Sequence, residues 1–383
     1  MKRRIGLPLW LIAVAGLLYA ASHAQQPPLL SRAGAPLRVG PGPADPVAGH
    51  FDRDGKLDIA LANSGANSVT ILLGDGRSGL REAPGSPFNA GPKPHLLAAG
   101  DFNRDGKFDL AVTEHDSNDV RVFLGHGNGR FAAAPGSPFA ALTRTPPHNH
   151  GLSAGDVNGD GKLDLITSNQ NDHSVSVLLG DGRGGFAPAS GSPFAVGRAP
   201  YPHALADVNG DRKLDIVSPN VGGDSVAVLL GDGSGRFAAA PGSPIGVLAR
   251  PYYAAVADLN GDKHADAAII HDDTSRITIL LGDGRGSFRP APSSPVDAGR
   301  RGAKTIAHDL NRDGKPDLVI AAGDSIVVLL GDGRGRFAPA PGSPYGTAAG
   351  TWGIALANLD GSGPPEIISV SFERNELAIW RTP

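Results

Sequence analysis

Several stretches of this chain place side-chain oxygens at alternate positions of a short loop, the pattern of a hard divalent cation site. One reads Asp101-Phe-Asn-Arg-Asp-Gly-Lys-Phe-Asp109, in which Asp101, Asn103, Asp105 and Asp109 offer side-chain oxygens and Lys107 a carbonyl. Calcium takes about six to eight oxygens, often from residues spaced by two along a tight turn. The same set recurs as Asp156, Asn158, Asp160 and Asp164, and as Asp309, Asn311, Asp313 and Asp317. Two more loops keep the donors as Asp207, Asn209, Asp211 and Asp215, and as Asp258, Asn260, Asp262 and Asp266. These two replace the central glycine by Arg212 and Lys263, which must then accept a positive φ at a cost of about 1 kcal/mol. A first copy begins with His50 but keeps Asp52, Asp54 and Asp58. A seventh, with Asn358, Asp360, Ser362 and Glu366, carries less charge. Ordinary Asx turns would explain one such loop. They explain poorly why so many copies keep the full donor set, so several structural Ca2+ sites are expected.

A second set of side chains has a fixed offset from these loops. Six residues before each loop start stand Ala44, His95, His150, Tyr201, Tyr252, Ala303 and Trp352. His148, His203, Tyr253 and Lys304 lie close by in a chain that is only 5% aromatic. Rings able to stack or hydrogen-bond at equivalent positions either plug a channel mouth or form a ligand site. In the second case His95, His150, Tyr201, Tyr252 and Trp352 are the binding residues. His115, His173 and His271 fall in polar loops and read as solvated.

The elements that position both sets repeat with them. Loop starts are separated by 51, 55, 51, 51, 51 and 49 residues. A fixed period marks one supersecondary unit used repeatedly, each too small to bury a core alone. Within a unit the sequence predicts a small-residue strand, the acidic loop, a second strand, an apolar third strand, a glycine-rich turn and a short fourth strand. The third strands, such as 69–73 and 226–230, are apolar throughout and need cover on both faces. The first strands are rich in Ala and Gly, as where sheets converge on an axis. This points to an all-β fold: a β-propeller of seven four-stranded antiparallel blades, with a linear β-solenoid as the rival. The last unit stops after its third strand, and residues 30–39 resemble the missing outer strand, so the N-terminal strand is expected to close the last blade. The rings then sit near the axis, on the face opposite the acidic loops. Gly74-Asp-Gly-Arg-Ser-Gly79 matches a dinucleotide fingerprint but leads into a strand, and so reads as a hairpin turn.

Lys2, Arg3 and Arg4 precede an apolar stretch at 7–21, and Ser22-His-Ala24 offers a cleavage site. Residues 1–24 therefore read as a signal peptide, with a membrane anchor as the rival, and 25–383 as the propeller. Export to the periplasm or beyond follows, with no stable membrane anchor after cleavage. The chain has no cysteine, so disulfides are excluded. Losing the three basic residues takes the formal charge from −3 to −6, and no basic run suggests nucleic acid. A closed ring suggests a monomer.

The units resemble FG-GAP repeats, also called VCBS repeats. The residues that carry this are Ala99-Gly-Asp-Phe-Asn-Arg-Asp-Gly-Lys-Phe-Asp-Leu-Ala111 and Asn67-Ser-Val-Thr-Ile-Leu-Leu-Gly-Asp-Gly76. The resemblance implies a seven-bladed propeller like the head of integrin α subunits, with calcium between the first two strands of a blade. It also implies an extracellular binding or adhesion module. The expected function is an exported binding or scaffold module for a protein or carbohydrate ligand. The alternatives are a lectin, or a carbohydrate-active enzyme of the polysaccharide lyase kind that uses the His/Tyr/Trp face.

Overall fold

The computed structural model describes residues 27–117, 119–141 and 148–382, so the expected signal peptide lies outside the described residues. Among the described residues every element is a β-strand, and no helix is long and apolar enough to cross a membrane. The repeating sheet is seen in Pro94–Gly100, Asp109–Glu114, Asp119–Gly125 and Phe131–Ala133, which pair antiparallel in chain order. The second and third strands form where apolar, β-branched residues run between polar turns. Gly127 and Gly129 take positive φ in the turn before the fourth strand. The motif at 74–79 is likewise a turn, joining Ser68–Gly74 to Leu80–Glu82.

Each acidic loop is fastened by its last carboxylate. Asp109 accepts the N–H groups of Phe102 at 2.8 Å and Asn103 at 3.3 Å on one oxygen, and of Gly125 at 2.8 Å on the other. Asp58, Asp164, Asp215, Asp266 and Asp317 bridge the same two places, and all six are fully buried. Glycine is required at the far end: a Cβ on Gly125 would stand 2.1 Å from the Phe108 carbonyl oxygen.

The proline-rich tail of each unit is more ordered than the sequence indicates. Phe139–Ala140 forms a fifth strand against the start of Asp119–Gly125. The Ser137 hydroxyl accepts the Val122 N–H at 2.9 Å, and five other units repeat this contact through Ser86, Ser192, Ser243, Ser294 and Ser343. The Ser–Pro bond that follows is cis in each of these six copies.

Separate sheets for all seven units do not occur. Five five-stranded sheets are followed by one of eight strands that holds the sixth and seventh units together. The loop between second and third strands has shrunk to Gly323-Asp324 in the sixth unit, so Asp317–Gly331 runs through as one strand. Tyr345–Ala357 pairs with it and continues into the seventh unit. Ser31–Arg32 and Leu37–Arg38 pair antiparallel with Glu376–Arg381, giving that unit its outer strands from the other end of the chain.

Packing joins successive units. Phe51, Ile71 and Leu73 share an apolar cluster with Leu97, Leu110 and Phe123 of the next unit. Five more clusters link the following neighbours. A further one joins Leu359, Ile368 and Val370 of the last unit to Ile59, Leu61 and Leu72 of the first. There the backbones approach so closely that a Cβ on Gly353 would lie 2.1 Å from the Ala44 carbonyl oxygen. Removing residues 27–40 strips the outer strands from Glu376–Arg381 and uncovers Trp380. The truncated protein is expected to lose the single cooperative transition of the intact one. An unchanged calorimetric melting curve would refute this role for the N-terminal strands.

Candidate functional site

Each first strand begins at one end of the molecule and delivers the chain to an acidic loop at the other. Asn149–Gly155 carries His150 near its start and leads directly into Asp156. Six steps of about 3.3 Å separate the ring positions from the loops by roughly 20 Å.

At the entry end lies a cavity of about 680 Å³ lined by His95, His150, Tyr201, Tyr252 and Trp352, together with their equivalents Ala44 and Ala303. All seven positions picked out by their offset thus meet in one place. His150 stacks on Tyr201 with centroids 4.1 Å apart and planes 15° apart, and Tyr201 leans on Tyr252 at 4.6 Å. His95 meets His150 edge-on at 5.7 Å. Trp352 is 53% exposed, and Phe372, also in the wall, is 44% exposed. Lys304 reaches Asp45 at 2.5 Å, a contact between the sixth and first units, and lies 6.0 Å from the Tyr253 ring. Burial, the largest single influence, would lower the Lys304 pKa, but Asp45 and Tyr253 together raise it, keeping the ammonium charged.

Two histidines in or near this site were not legible as partners. His115 is half-buried, lines the cavity and lies edge-on to His95 and His150 at 5.5 and 5.2 Å, so it is not a solvated loop residue. His271 is fully buried and bonds the Ala249 carbonyl and the Thr278 hydroxyl. Of the three read as solvated, only His173 is exposed. His115 escaped notice because it sits after a second strand, outside the period that aligns the rings.

His95, His150 and the nearby His203 are held neutral. Burial, then His115 and His148, brings His95 down to about 4. Burial, then His95, His148 and His115, brings His150 down to about 2. Burial alone takes His203 to about 4, its Nδ1 lying 2.9 Å from the Ser168 hydroxyl. Tyr252 is pushed up, chiefly by burial, and keeps its proton.

At the other end, the acidic loops turn their side-chain oxygens inward on their own backbone. Asp101 accepts the N–H groups of Asp105 at 3.0 Å and Gly106 at 2.8 Å, and Asn103 accepts that of Asp105 at 3.0 Å. The loops at Asp156 and Asp309 do the same. The Asp101 and Asn103 oxygens each keep a lone pair after these contacts and suit a hard cation, whereas Asp156 Oδ1 and Asp109 Oδ2 each already accept two N–H groups. Asp54, Asp105, Asp160, Asp211 and Asp313 pair with the lysine two residues on. Arg212 and Lys263 take φ of 66° and 71°, as loss of the glycine demands, and the turns at Asp207 and Asp258 keep their form. Loop one fits less well. His50 Nδ1 bonds the Lys56 carbonyl at 2.8 Å, occupying the oxygen that would be a ligand beside Asp52, Asp54 and Asp58. In loop seven the Arg381 guanidinium stands 3.5 Å from Glu366 and 3.9 Å from Asp360, so a side chain supplies the cation.

Six overlapping FG-GAP-like repeats match the chain, at residues 50–112, 101–167, 156–218, 207–269, 258–320 and 309–369. The chain belongs to the FG-GAP-like repeat family. No curated protein matches it at a significant level. Among solved structures this FG-GAP-like protein resembles BBS1N, solved in complex with ARL6DN, at a TM-score of 0.64 and 12% identity, over 93% of this chain and 97% of that one. It also resembles a lectin of Agrocybe aegerita that recognises non-reducing terminal N-acetylglucosamine, at 0.53 and 21%, over 77% and 79%. A third is a catalytically inactive virginiamycin B lyase of Staphylococcus aureus solved with quinupristin, at 0.56 and 14%, over 92% and 100%. These neighbours are β-propellers, and at such identities they speak for the fold alone.

The neutral histidines predict a pH response. A buried imidazole whose folded pKa lies below its unfolded value of 6.5 binds its proton on unfolding. Its share of stability is complete above pH 6.5 and is lost as the pH falls toward 4. For His203 this is worth about 3 kcal/mol. Asp109, Asp164 and Asp266, raised to about 6 mainly by burial, act in the opposite sense over the same range. The difference between two proteins isolates the histidine. Wild type is expected to lose more stability between pH 7 and pH 4.5 than His203→Gln, measured by urea unfolding. Parallel pH profiles would contradict a neutral His203.

Proposed function

We propose that this FG-GAP-like protein is an exported, calcium-stabilised propeller of seven blades that binds a carbohydrate ligand in its ring-lined cavity. The seven apolar clusters, each shared by neighbouring units, support the blade count. Pairing of Ser31–Arg32 with the last strand supports closure of the final blade. The protein acts as a monomer in the periplasm or outside the cell, without nucleic acid and without a lasting membrane anchor.

The observation that carries the ligand reading is the row of stacked rings along one cavity wall, with the exposed Trp352 at its edge. Aromatic faces in a concave site offer a sugar ring stacking area, and a few fixed polar groups orient it. Here those groups are His95, the Tyr252 hydroxyl and the Lys304–Asp45 pair. The fold neighbour from Agrocybe aegerita is itself a glycan binder, while BBS1N was solved with a protein partner. Replacing Tyr252 and Trp352 together by Ala is expected to abolish binding on a glycan array, with the melting temperature kept within a few degrees of wild type. Retained glycan affinity would refute the site. Absence of any glycan signal from the wild type would shift the reading to a protein ligand.

A second reading rests on the gathering of His95, His150, Tyr201 and Tyr252 in one cavity. These are side chains of the types that transfer protons in polysaccharide cleavage. Appearance of unsaturated products from uronate polymers, lost in His95→Ala, would establish it.

The acidic loops are assigned a structural role. Calcium would bridge carboxylates that otherwise repel one another and fix the turn between the first two strands. Chelation is expected to lower the melting temperature by several degrees, with recovery on adding calcium but not magnesium. Asp101→Ala with Asp156→Ala should shrink that difference. A melting curve indifferent to chelator would leave the loops as Asx turns alone.

A further inference from the structure

We infer that His115, His148 and His150 form a binding site for a borderline divalent transition ion such as Zn2+, set in the wall of the cavity. One nitrogen from each lies within 4.8 Å of the others. Three nitrogens at about 2.0–2.1 Å from one tetrahedral ion sit about 3.3 Å apart, so small rotations of the rings close the site. Imidazole nitrogen is the donor that suits zinc, copper, nickel and cobalt, and it separates this site from the all-oxygen loops at the opposite end.

The backbone is pinned at two of the three ligands. The His115 N–H bonds the Lys93 carbonyl at 3.0 Å, and the His148 carbonyl accepts the Gln170 N–H at 3.1 Å. The Asn149 side chain donates to the Ser117 carbonyl at 3.1 Å, tying together the two units that supply the ligands. His148 and His150 are two residues apart at the mouth of one strand, which brings their rings to 4.3 Å.

Two features point to a ligand and not to mere packing. His150 is 6% exposed, yet its buried Nε2 has no hydrogen-bond partner. An unpaired buried nitrogen is destabilising unless something binds it. The Nδ1 of His115 meets the Asp116 carboxylate at 2.6 Å, which leaves Nε2 as its free donor. Carboxylate support of this kind fixes the tautomer of a metal-ligating histidine and raises its basicity. Lys93 in turn holds Asp116.

With three protein ligands the ion keeps an open position. His115 and His150 both line the cavity, so that position faces the space where a ligand would sit. It would accept water, a hydroxyl or a carboxylate oxygen. The site does not depend on the carbohydrate reading, since a chain that binds no glycan can still bind the ion.

The test uses tag-free protein, stripped of metal and kept in excess Ca2+ so that the carboxylate loops cannot compete. Co2+ is titrated while its visible ligand-field band is followed, and Zn2+ is then used to displace it. One equivalent of Co2+ with the intense band of a tetrahedral nitrogen site is expected. His148→Ala, a half-buried position, and His115→Gln should each weaken binding by roughly tenfold or more and remove the band. Asp116→Asn should weaken binding while leaving the band in place. Melting temperatures in chelator confirm that the variants fold. Absence of tight Co2+ binding to wild type would overturn the site, as would an unchanged band and affinity in either histidine variant.

Discussion

The structure depends on a buried carboxylate repeated through the chain. The last acid of the first six loops leaves solvent entirely and spends its oxygens on N–H groups from two places, the start of its own loop and the end of the third strand. A buried charge without such partners would cost several kcal/mol. With them it becomes a clamp that fixes the first-to-second strand turn against the second hairpin. Asp109, Asp164 and Asp266 still titrate near 6, so burial outweighs the N–H groups. The loop therefore holds negative charge at neutral pH that is only partly compensated. The lysine salt bridges on the outer acids answer part of it, and Arg381 answers it in the seventh copy.

Clamped loops also set the spacing between units. The N–H of Gly129 in one turn bonds the Phe51 carbonyl in the loop of the preceding unit, and Gly184, Gly235, Gly286 and Gly335 repeat the contact. The first unit's turn meets the last loop differently, through Ser78 on Glu366 and Arg381 on the Arg77 carbonyl at 2.9 Å. Sheets held at both their loops and their apolar faces must converge at their first strands. Only small residues fit there, and the side chains at the strand entries are left facing one another. The cavity is thus a consequence of how the sheets are spaced, and its chemistry is set by residues the repeat does not constrain. The same offset carries Ala, His, Tyr and Trp in different units.

That distinction explains what was legible in the sequence. The loops, the strand order and the convergence of His95, His150, Tyr201, Tyr252 and Trp352 all follow from a period that the residues display openly. The eight-stranded sheet did not, because it arises from a shortened loop at Gly323-Asp324 whose effect depends on strands meeting across units. The fifth strand at Phe139–Ala140 is two residues long and follows a Pro-Gly-Ser-Pro segment, which reads as loop by composition. His115 was missed for a different reason: its approach to His150 is a contact between two units with no common offset. His271 looked polar by its neighbours Asp272 and Asp273, yet it is the last residue of a buried strand.

The cavity wall follows a different rule from the loop clamps. The carboxylates that close the loops and the serines of the tails have their partners in place, as Asp109 and Ser137 show, although side chains such as Asn63, Thr167 and Ser218 also keep a buried unpaired atom. Around His115, His148 and His150 the rings are crowded edge to face, and the deepest nitrogen has nothing to bond. Protonating more than one ring would not relieve this, since the rings lie 4.3 to 5.2 Å apart and like charges would repel one another. Filling the wall with apolar side chains would remove the penalty with no loss of packing. A wall that keeps three imidazoles there, one steadied by a carboxylate, has the geometry of a set of nitrogen donors waiting for an acceptor. Of the acceptors available to several nitrogens at once, a metal ion satisfies them together, whereas a single proton satisfies one ring and sets a positive charge beside the others.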